Sequence, residues 1–407
     1  MIYTWIFLFL LEVGMGYNIG PLPISEYFLY GYVALNFRKF TSIFIKGSLR
    51  FLYKAIISII CIQLFVDIII YHLDIFYILK GTDNLLMFML HTFVLYEFIT
   101  KDKKNLVPIL LGACFMTFHS VQTLMEIEYS DDAYSSAMEG EDAPLLKFII
   151  APILTYIFMG FLVLKNKRIM VLLSVFIGFM LIVLGARNSG LTFILAAFFY
   201  FCSFSKLLKK RLKLFIIISL LLGYGGYAFY VNKVLSGQIT SGNNDQILQL
   251  KNPYNPVSLI IYGRPEVYVE IIATLNSPLC GYSTHPLDTT GKYRALRRQL
   301  KGGSFVVISD PRATIPGHSI IFDIGLFYGF FALLIFVRVI IRILSLMFKY
   351  IMNGEKESRF LVSFFFSFLL WNLLFSPIGH LKWTIPIYFA AFLSLYYKNS
   401  KQVVMTK

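Results

Sequence analysis

The feature that most constrains this chain is a succession of twelve apolar runs, each near the length of a bilayer crossing and mostly joined by short polar connectors. The runs cover residues 1–16, 20–36, 51–72, 84–100, 105–124, 147–164, 169–186, 189–205, 214–231, 318–337, 360–376 and 381–397. A bilayer core about 30 Å thick takes about 20 apolar residues per helix, and a helix satisfies its own backbone amides where no water can. Composition excludes the soluble alternative: 57% of residues are hydrophobic and 14% charged, too little polar surface to cover a globule of this size. The expectation is an all-α, polytopic membrane protein with about 12 transmembrane helices.

Charge sets the orientation. With both termini cytoplasmic, the inside connectors and tail carry 24 of the 37 Lys and Arg residues. The short outside loops carry four, Lys80, Lys147, Arg187 and Lys382, and nine lie in one long outside segment. This contrast is that of the positive-inside rule, so the net charge of +15 reflects membrane sidedness and nucleic acid is not an expected partner. The first run, interrupted by Glu12 and lacking a basic start, reads as an uncleaved helix. Three parts follow: residues 1–231 with nine spans, a large outer loop at 232–317 with short helices, and 318–407 with three spans and a cytoplasmic tail.

Several chemistries find no support. Cys61, Cys114, Cys202 and Cys280 are too scattered for a disulfide within one loop, and no metal-binding, Walker or dinucleotide motif occurs in a fitting context. No metal or cofactor is expected. Absence of an internal repeat weakens a transporter built from duplicated halves. Glu12, Glu26, Asp67 and Glu97 fall inside apolar runs, mostly near their ends, where snorkelling to the interface suffices. The loop from Glu126 to Leu145 holds seven acids and no base, and reads as a solvated connector without ligand geometry.

The outer loop is long enough to form a cap, and loops of its length without function are uncommon. Gly263-Arg264-Pro265-Glu266 reads as a helix start, because Pro suits the first helical position. Val267, Tyr268, Ile271, Ile272 and Leu275 then form an apolar face, and the helix is expected to stop near Asn276-Ser277-Pro278, before a turn at Leu279-Cys280-Gly281-Tyr282. Arg294, Arg297, Arg298 and Lys301 have the spacing of one helical face, a basic stripe suited to anionic headgroups or to an anionic substrate. The loop ends at Ile315-Pro316-Gly317-His318, which puts an imidazole at the membrane surface. In the turn Gly185-Ala186-Arg187-Asn188-Ser189-Gly190, the lone base Arg187 is expected beside a helix capped by Asn188 or Ser189.

Arg187, Arg264 and His318 are therefore expected to converge. Helix N-termini offer free N–H groups and guanidinium groups fork onto phosphate oxygens, a combination suited to pyrophosphate. At an interface the natural ligand is a lipid pyrophosphate, with its tail in the bilayer and its sugar in the cap. The plainer reading has each Arg reaching only to lipid headgroups.

These residues resemble the O-antigen polymerases, which share with the O-antigen ligases a twelve-span, GT-C-like framework, an Arg-bearing outer turn and a large outer loop late in the chain. The likeness rests on GARNSG at 185–190, YGRPEVYVEIIATLNSPLCGY at 262–282 and PGHSIIFDIGLFYG at 316–329. The chain departs from the pattern with Gly281-Tyr282-Ser283 where a GxG is typical.

The resemblance implies a glycosyltransferase of a bacterial cell inner membrane with a periplasmic active site. It would join undecaprenyl-pyrophosphate-linked oligosaccharide repeat units with loss of undecaprenyl pyrophosphate, a step of lipopolysaccharide biosynthesis that needs no nucleotide sugar. Arg187 and Arg264 would stabilise the departing diphosphate, and His318 would accept or orient the acceptor's proton. Glu266, Tyr268, Arg294, Arg297 and Arg298 would complete the substrate-binding set, with Glu266 and Asp323 as reserve bases. The partners implied are the lipid-linked oligosaccharide and membrane lipid, with room for a chain-length regulator. Two alternatives stay open: an O-antigen ligase acting on lipid A core, and a lipid-linked oligosaccharide flippase, which would gain little from an 86-residue outer loop.

Overall fold

The computed structural model describes residues 1–20, 22–127, 149–164, 169–184, 186–204, 212–238, 245–250 and 252–405, so the acid-rich stretch at 128–145 lies outside the described residues. The fold is all-α. The helices before the cap are α1 (Ile2–Val13), α2 (Ile24–Leu35), α3 (Arg50–Leu64, continued to Ile70 as a π-helix), α4 (Ile75–Lys101), α5 (Leu106–Ile127), α6 (Ala151–Leu164), α7 (Ile169–Val183), α8 (Arg187–Cys202) and α9 (Leu212–Leu235). The cap contributes α10 (Pro256–Gly263), α11 (Pro265–Asn276) and α12 (Lys292–Leu300), and the chain closes with α13 (Ile320–Asn353), α14 (Arg359–Phe375), the single turn α15 (His380–Trp383) and α16 (Ile385–Met405). A two-residue hairpin, Asn18–Ile19 against Leu22–Pro23, joins α1 to α2.

Among the described residues, two helical stretches, Arg50–Ile70 and Ile320–Asn353, are long and apolar enough to cross a membrane, while Ile2–Gly16, Ala151–Leu164, Ile169–Val183 and Arg359–Phe375 are shorter apolar helices. Length explains much of the difference from the expected dozen. The 12-residue helices α1 and α2 are about 18 Å long at 1.5 Å per residue, short of a bilayer core. The molecule nevertheless exposes large apolar side chains such as Ile69 on α3, Phe161 on α6, Leu172 and Phe176 on α7 and Phe331 on α13. Soluble monomers rarely show apolar surface on that scale.

Inside this surface α4 and α16 form the centre, buried without interruption over Met87–Glu97 and Thr384–Ser394. Each acid expected to snorkel is buried instead, because each has an internal partner. Glu12 meets His91 Nε2 at 2.8 Å. Glu97 takes Lys39 at 3.1 Å, Lys101 at 2.8 Å and the Tyr32 hydroxyl at 2.9 Å. Lys382 bridges Glu26 at 2.7 Å and Asp83 at 3.1 Å, and Asp67 accepts the Thr284 amide at 3.0 Å and Gln63 at 2.9 Å. A buried charge that keeps its partner avoids the several kcal/mol that isolation would cost.

The cap is seated on a break in α13. Gly329 has φ 79° and ψ −175°, a region open only to Gly, and divides the helix into two parts. The turn after α11 fills the gap: Phe330 donates to the Pro278 carbonyl at 2.7 Å and Tyr282 to Leu326 at 2.7 Å. Tyr71, at the end of α3, adds a bond to the Gly281 carbonyl at 2.6 Å. In the same turn Ser283 takes φ 69°, a left-handed backbone that usually favours glycine. A small core of Val269, Ala273, Tyr293, Ile315 and Leu326 completes the junction.

A methyl at Gly329 would collide with the Leu279 carbonyl. Gly329→Ala is therefore expected to cost roughly 2–4 kcal/mol from backbone strain plus a forced contact, measured as a lower melting temperature in detergent. Gly31→Ala, at an open helical position, is expected to be neutral or stabilising by up to about 1 kcal/mol.

Candidate functional site

The site grows from the start of α11. Arg264 is its N-cap residue and Pro265 its first helical residue, where the missing N–H leaves no intrahelical bond unmade. Glu266, in the first turn, reaches across to α12: its Oε1 accepts from Arg297 Nε at 2.6 Å and lies 3.9 Å from Lys301 Nζ. Burial works to raise the Glu266 carboxyl, but its own amide, Arg297 and Lys301 outweigh burial and hold it below the usual carboxylate range. Glu266 is thus an anion among cations. Arg297, Arg298 and Lys301, with Gly303, Ser304 and Val306, line a cavity of about 350 Å³.

His318 stands at the base of this cluster, half-buried at the approach to α13. Its backbone N–H donates to the Glu270 carboxylate, one turn beyond Glu266. Burial lowers the His318 imidazole, Arg264 lowers it further, and Arg297 and Lys301 add to the effect against the single opposing charge of Glu266. The ring is therefore neutral at neutral pH and free to take a proton. A second imidazole, His380 at the start of α15, is lowered to about 4 by burial and then by His318, and contacts Thr384 Oγ1 at 3.0 Å. Arg297 and Lys301 at one carboxylate, Arg298 on the cavity wall and Arg264 beside a neutral imidazole can together hold a phosphate or diphosphate while the imidazole accepts a proton.

The structure therefore brings Arg264, Glu266, Arg297 and His318 together, with Arg298 on the same cavity wall and Tyr268 exposed on α11. Arg187 differs from expectation. It is the first residue of α8 with Ala186 as N-cap, so neither Asn188 nor Ser189 caps the helix. Its guanidinium donates to the Tyr230 hydroxyl at 3.3 Å and sits 6.0 Å from that ring. Tyr230 and, from α10, Leu259 both pack against the cluster of Val231, Val234 and Ile247, so Arg187 adjoins the cluster on which α10, the helix that leads into Arg264, rests.

Arg294 also departs from the expected binding role. It lies 3.6 Å from both Asp288 and Asp310 and donates to the Ile308 carbonyl at 3.0 Å, a strut across the cap. Helical spacing placed it on the basic face, but the segment after α12 folds back over it. Asp323 is buried, and its Oδ2 accepts the Ile378 amide at 3.2 Å, which ties α13 to the turn before α15.

Two neighbours of the site were missed by sequence reasoning. Glu270 sits on the buried side of α11, and a carboxyl in that position was itself the signal, since burial demands partners. His380 follows Gly379, repeating the Gly317-His318 pair in a second turn. Compared with known proteins, the chain matches no family model, no curated protein and no solved structure.

His318 is expected to titrate below the ordinary imidazole value of about 6.5, and Arg264→Gln is expected to move its midpoint upward. The stability that the neutral ring supports is present above that ordinary value and is lost as pH falls through the lowered one. Imidazole NMR, or the pH dependence of diethylpyrocarbonate reaction at His318 read by mass spectrometry, measures both; an unmoved midpoint in Arg264→Gln would separate the two residues.

Proposed function

We propose that the protein is an O-antigen polymerase, a glycosyltransferase that joins undecaprenyl-pyrophosphate-linked repeat units on the periplasmic face of a bacterial inner membrane. The observation that carries the reading is the neutral His318 imidazole set against Arg264, Arg297 and Lys301 beside a cation-lined cavity. The resemblance of the segments at 185–190, 262–282 and 316–329 to that family supplies the reaction.

In this reading the twelve apolar helices are spans and the cap is periplasmic. What supports it is the way connector ends pair. Lys39 and Lys101, assigned to the cytoplasmic side, meet at Glu97, and Tyr397 donates to the Ser48 carbonyl at 3.0 Å on the same assigned side. Lys382, Glu26 and Asp83, assigned outward, meet each other, and Asp67 and Tyr71 meet the cap.

In the reaction, the acceptor hydroxyl attacks the anomeric carbon of the donor chain. The bond from that carbon to the diphosphate oxygen breaks, a new glycosidic bond forms, and the hydroxyl proton passes to His318. Negative charge gathers on the departing diphosphate, where Arg264, Arg298 and Lys301 stabilise it, with Arg297 shared with Glu266. Arg187 acts from α8 through Tyr230, on the cluster against which α10 packs, and so on the position of Arg264.

The test is an assay in membranes with purified lipid-linked repeat units. Arg264→Ala and His318→Ala are each expected to cut chain growth about 100-fold or more while the protein still inserts. Arg294→Ala is expected to lower thermal stability with a smaller loss of turnover. Normal polymer from Arg264→Ala would remove that residue from the mechanism. Deletion in the host separates the rivals: single repeats on the core mark a polymerase, unattached long polymer a ligase, and failed export a flippase.

A further inference from the structure

The cap carries an apolar run that the described residues leave open. Phe305, Val306, Val307 and Ile308 are 49%, 48%, 51% and 54% exposed. Successive side chains of an extended chain point to opposite faces, so a surface strand buries one face and shows the other. Here both faces stand open. Residues 303–310 join no helix or strand, yet the run is fixed at each end. Gly303 donates to the Arg298 carbonyl at 3.0 Å, and the Ile308 carbonyl accepts from Arg294 Nη2 at 3.0 Å. Gly291, with φ 73°, lets the chain pass so close that a Cβ there would strike the Ile308 carbonyl. A strap held in this way keeps its side chains outward, and clustered apolar exposure of this kind marks a contact surface.

The charges around the run identify what it contacts. From 292 to 312 the bases are Lys292, Arg294, Arg297, Arg298, Lys301 and Arg312, against the single acid Asp310. Arg294 and Arg297 are held by carboxylates, whereas Lys292, Arg298 and Arg312 stand exposed on either side of the run in sequence. Apolar side chains between exposed bases complement a bilayer boundary, with acyl chains beneath anionic headgroups. A second copy of the cap would instead set like charges against each other. A backbone without ladder partners cannot enter the hydrocarbon core, where its N–H and C=O groups would go unsatisfied, so immersion stops at the headgroup boundary.

We propose that residues 304–308 form a membrane-contacting strap: Phe305, Val306, Val307 and Ile308 lie among the outermost acyl-chain carbons of the outer leaflet, and Arg298 and Arg312 engage anionic phospholipid headgroups. Ser304 and Val306 also line the cavity with Arg297, Arg298 and Lys301. The strap thereby puts the cavity wall at lipid level, and a lipid diphosphate reaches the cations from the side without leaving the bilayer. Immersion of the strap rests on the membrane reading of the bundle, and the route to the cations rests in addition on the glycosyl-transfer reading.

Phe305→Trp reports on the strap, because the residue is exposed and already aromatic. The emission it adds to that of Trp5, Trp371 and Trp383 is measured in the full-length protein, reconstituted in vesicles of phosphatidylethanolamine and phosphatidylglycerol. Bromine near the head of the acyl chain is expected to quench it strongly, bromine near the chain end less, and aqueous acrylamide little. Quenching by acrylamide without quenching by bromolipid would overturn the strap. Shielding from both quenchers would overturn it too, since a protein would then cover the run. Exchange of phosphatidylglycerol for phosphatidylcholine, or the pair Arg298→Gln and Arg312→Gln, is expected to weaken the bromolipid quenching; indifference to both would remove the headgroup contact. In the chain-growth assay Phe305→Ser combined with Val307→Ser is expected to raise KM for the lipid-linked unit about tenfold, with kcat changed by less than about threefold. An unchanged KM would overturn the route from the bilayer. Absence of chain growth in the wild type would defeat the polymerase reading, and the quenching alone would then decide the strap.

Discussion

The break in α13 at Gly329 is the contact on which the arrangement of the site depends. Breaking a helix frees backbone donors and acceptors, and in a buried place they must be taken up again. The turn at 278–282 takes them up, through Phe330 to Pro278 and Tyr282 to Leu326. That docking sets the register of α11 along the first half of α13, with Glu270 against the His318 amide and Thr274 against Gly325. Arg264, six residues before Glu270, then stands about 9 Å farther along the axis, beyond His318 on the side of the cavity. A slip by one residue would carry Arg264 about 100° around the helix and away from the imidazole.

The buried charges favour a fixed bundle. Glu12 with His91, Glu26 and Asp83 with Lys382, and Glu97 with Lys39 and Lys101 link α1, α2, α4 and the turn before α16 in pairs. Parting the buried pairs among them, Glu12 with His91 and Glu26 with Lys382, without a substitute costs about 3–5 kcal/mol, and the Glu97 links, whose lysines are more than half exposed, cost less. A protein that rocks between inward- and outward-open states would have to break or carry these links in each cycle, which weighs against a flippase. A catalyst that works at one face can keep them intact.

Helical architecture was legible because apolar run length is a one-dimensional property. The helices fall on the expected runs, and α11 begins at Pro265 and ends at Asn276 as Pro, Asn and Ser foretold. Bilayer thickness was less legible, since 12 helical residues in α1 and α2 meet the periodicity without the length. Partner identity was the larger gap. Nothing local marks Glu12 for His91, 79 residues away, or Lys382 for Glu26 at a separation of 356. Arg294 and Arg297 look alike on a helical face, but only the fold-back of 302–310 takes Arg294 out of the site. Arg264 and His318 could be found because each sits at a helix start, a position that sequence does mark.

Electrostatics at this junction link binding to reactivity. Without a ligand, burial first and then Arg264, Arg297 and Lys301 depress His318, which keeps it neutral but makes it a weak base. Under the glycosyl-transfer reading, a bound diphosphate neutralises those same cations and raises the basicity of the imidazole when an electrophilic anomeric carbon is at hand. Burial continues to lower the ring, so it stays below a lysine-like value and can give its proton up again after bond formation. The leaving group thus prepares the base. Separation of the diphosphate then returns the positive charge to the site, lowers His318 again and favours proton release to solvent before the next donor enters.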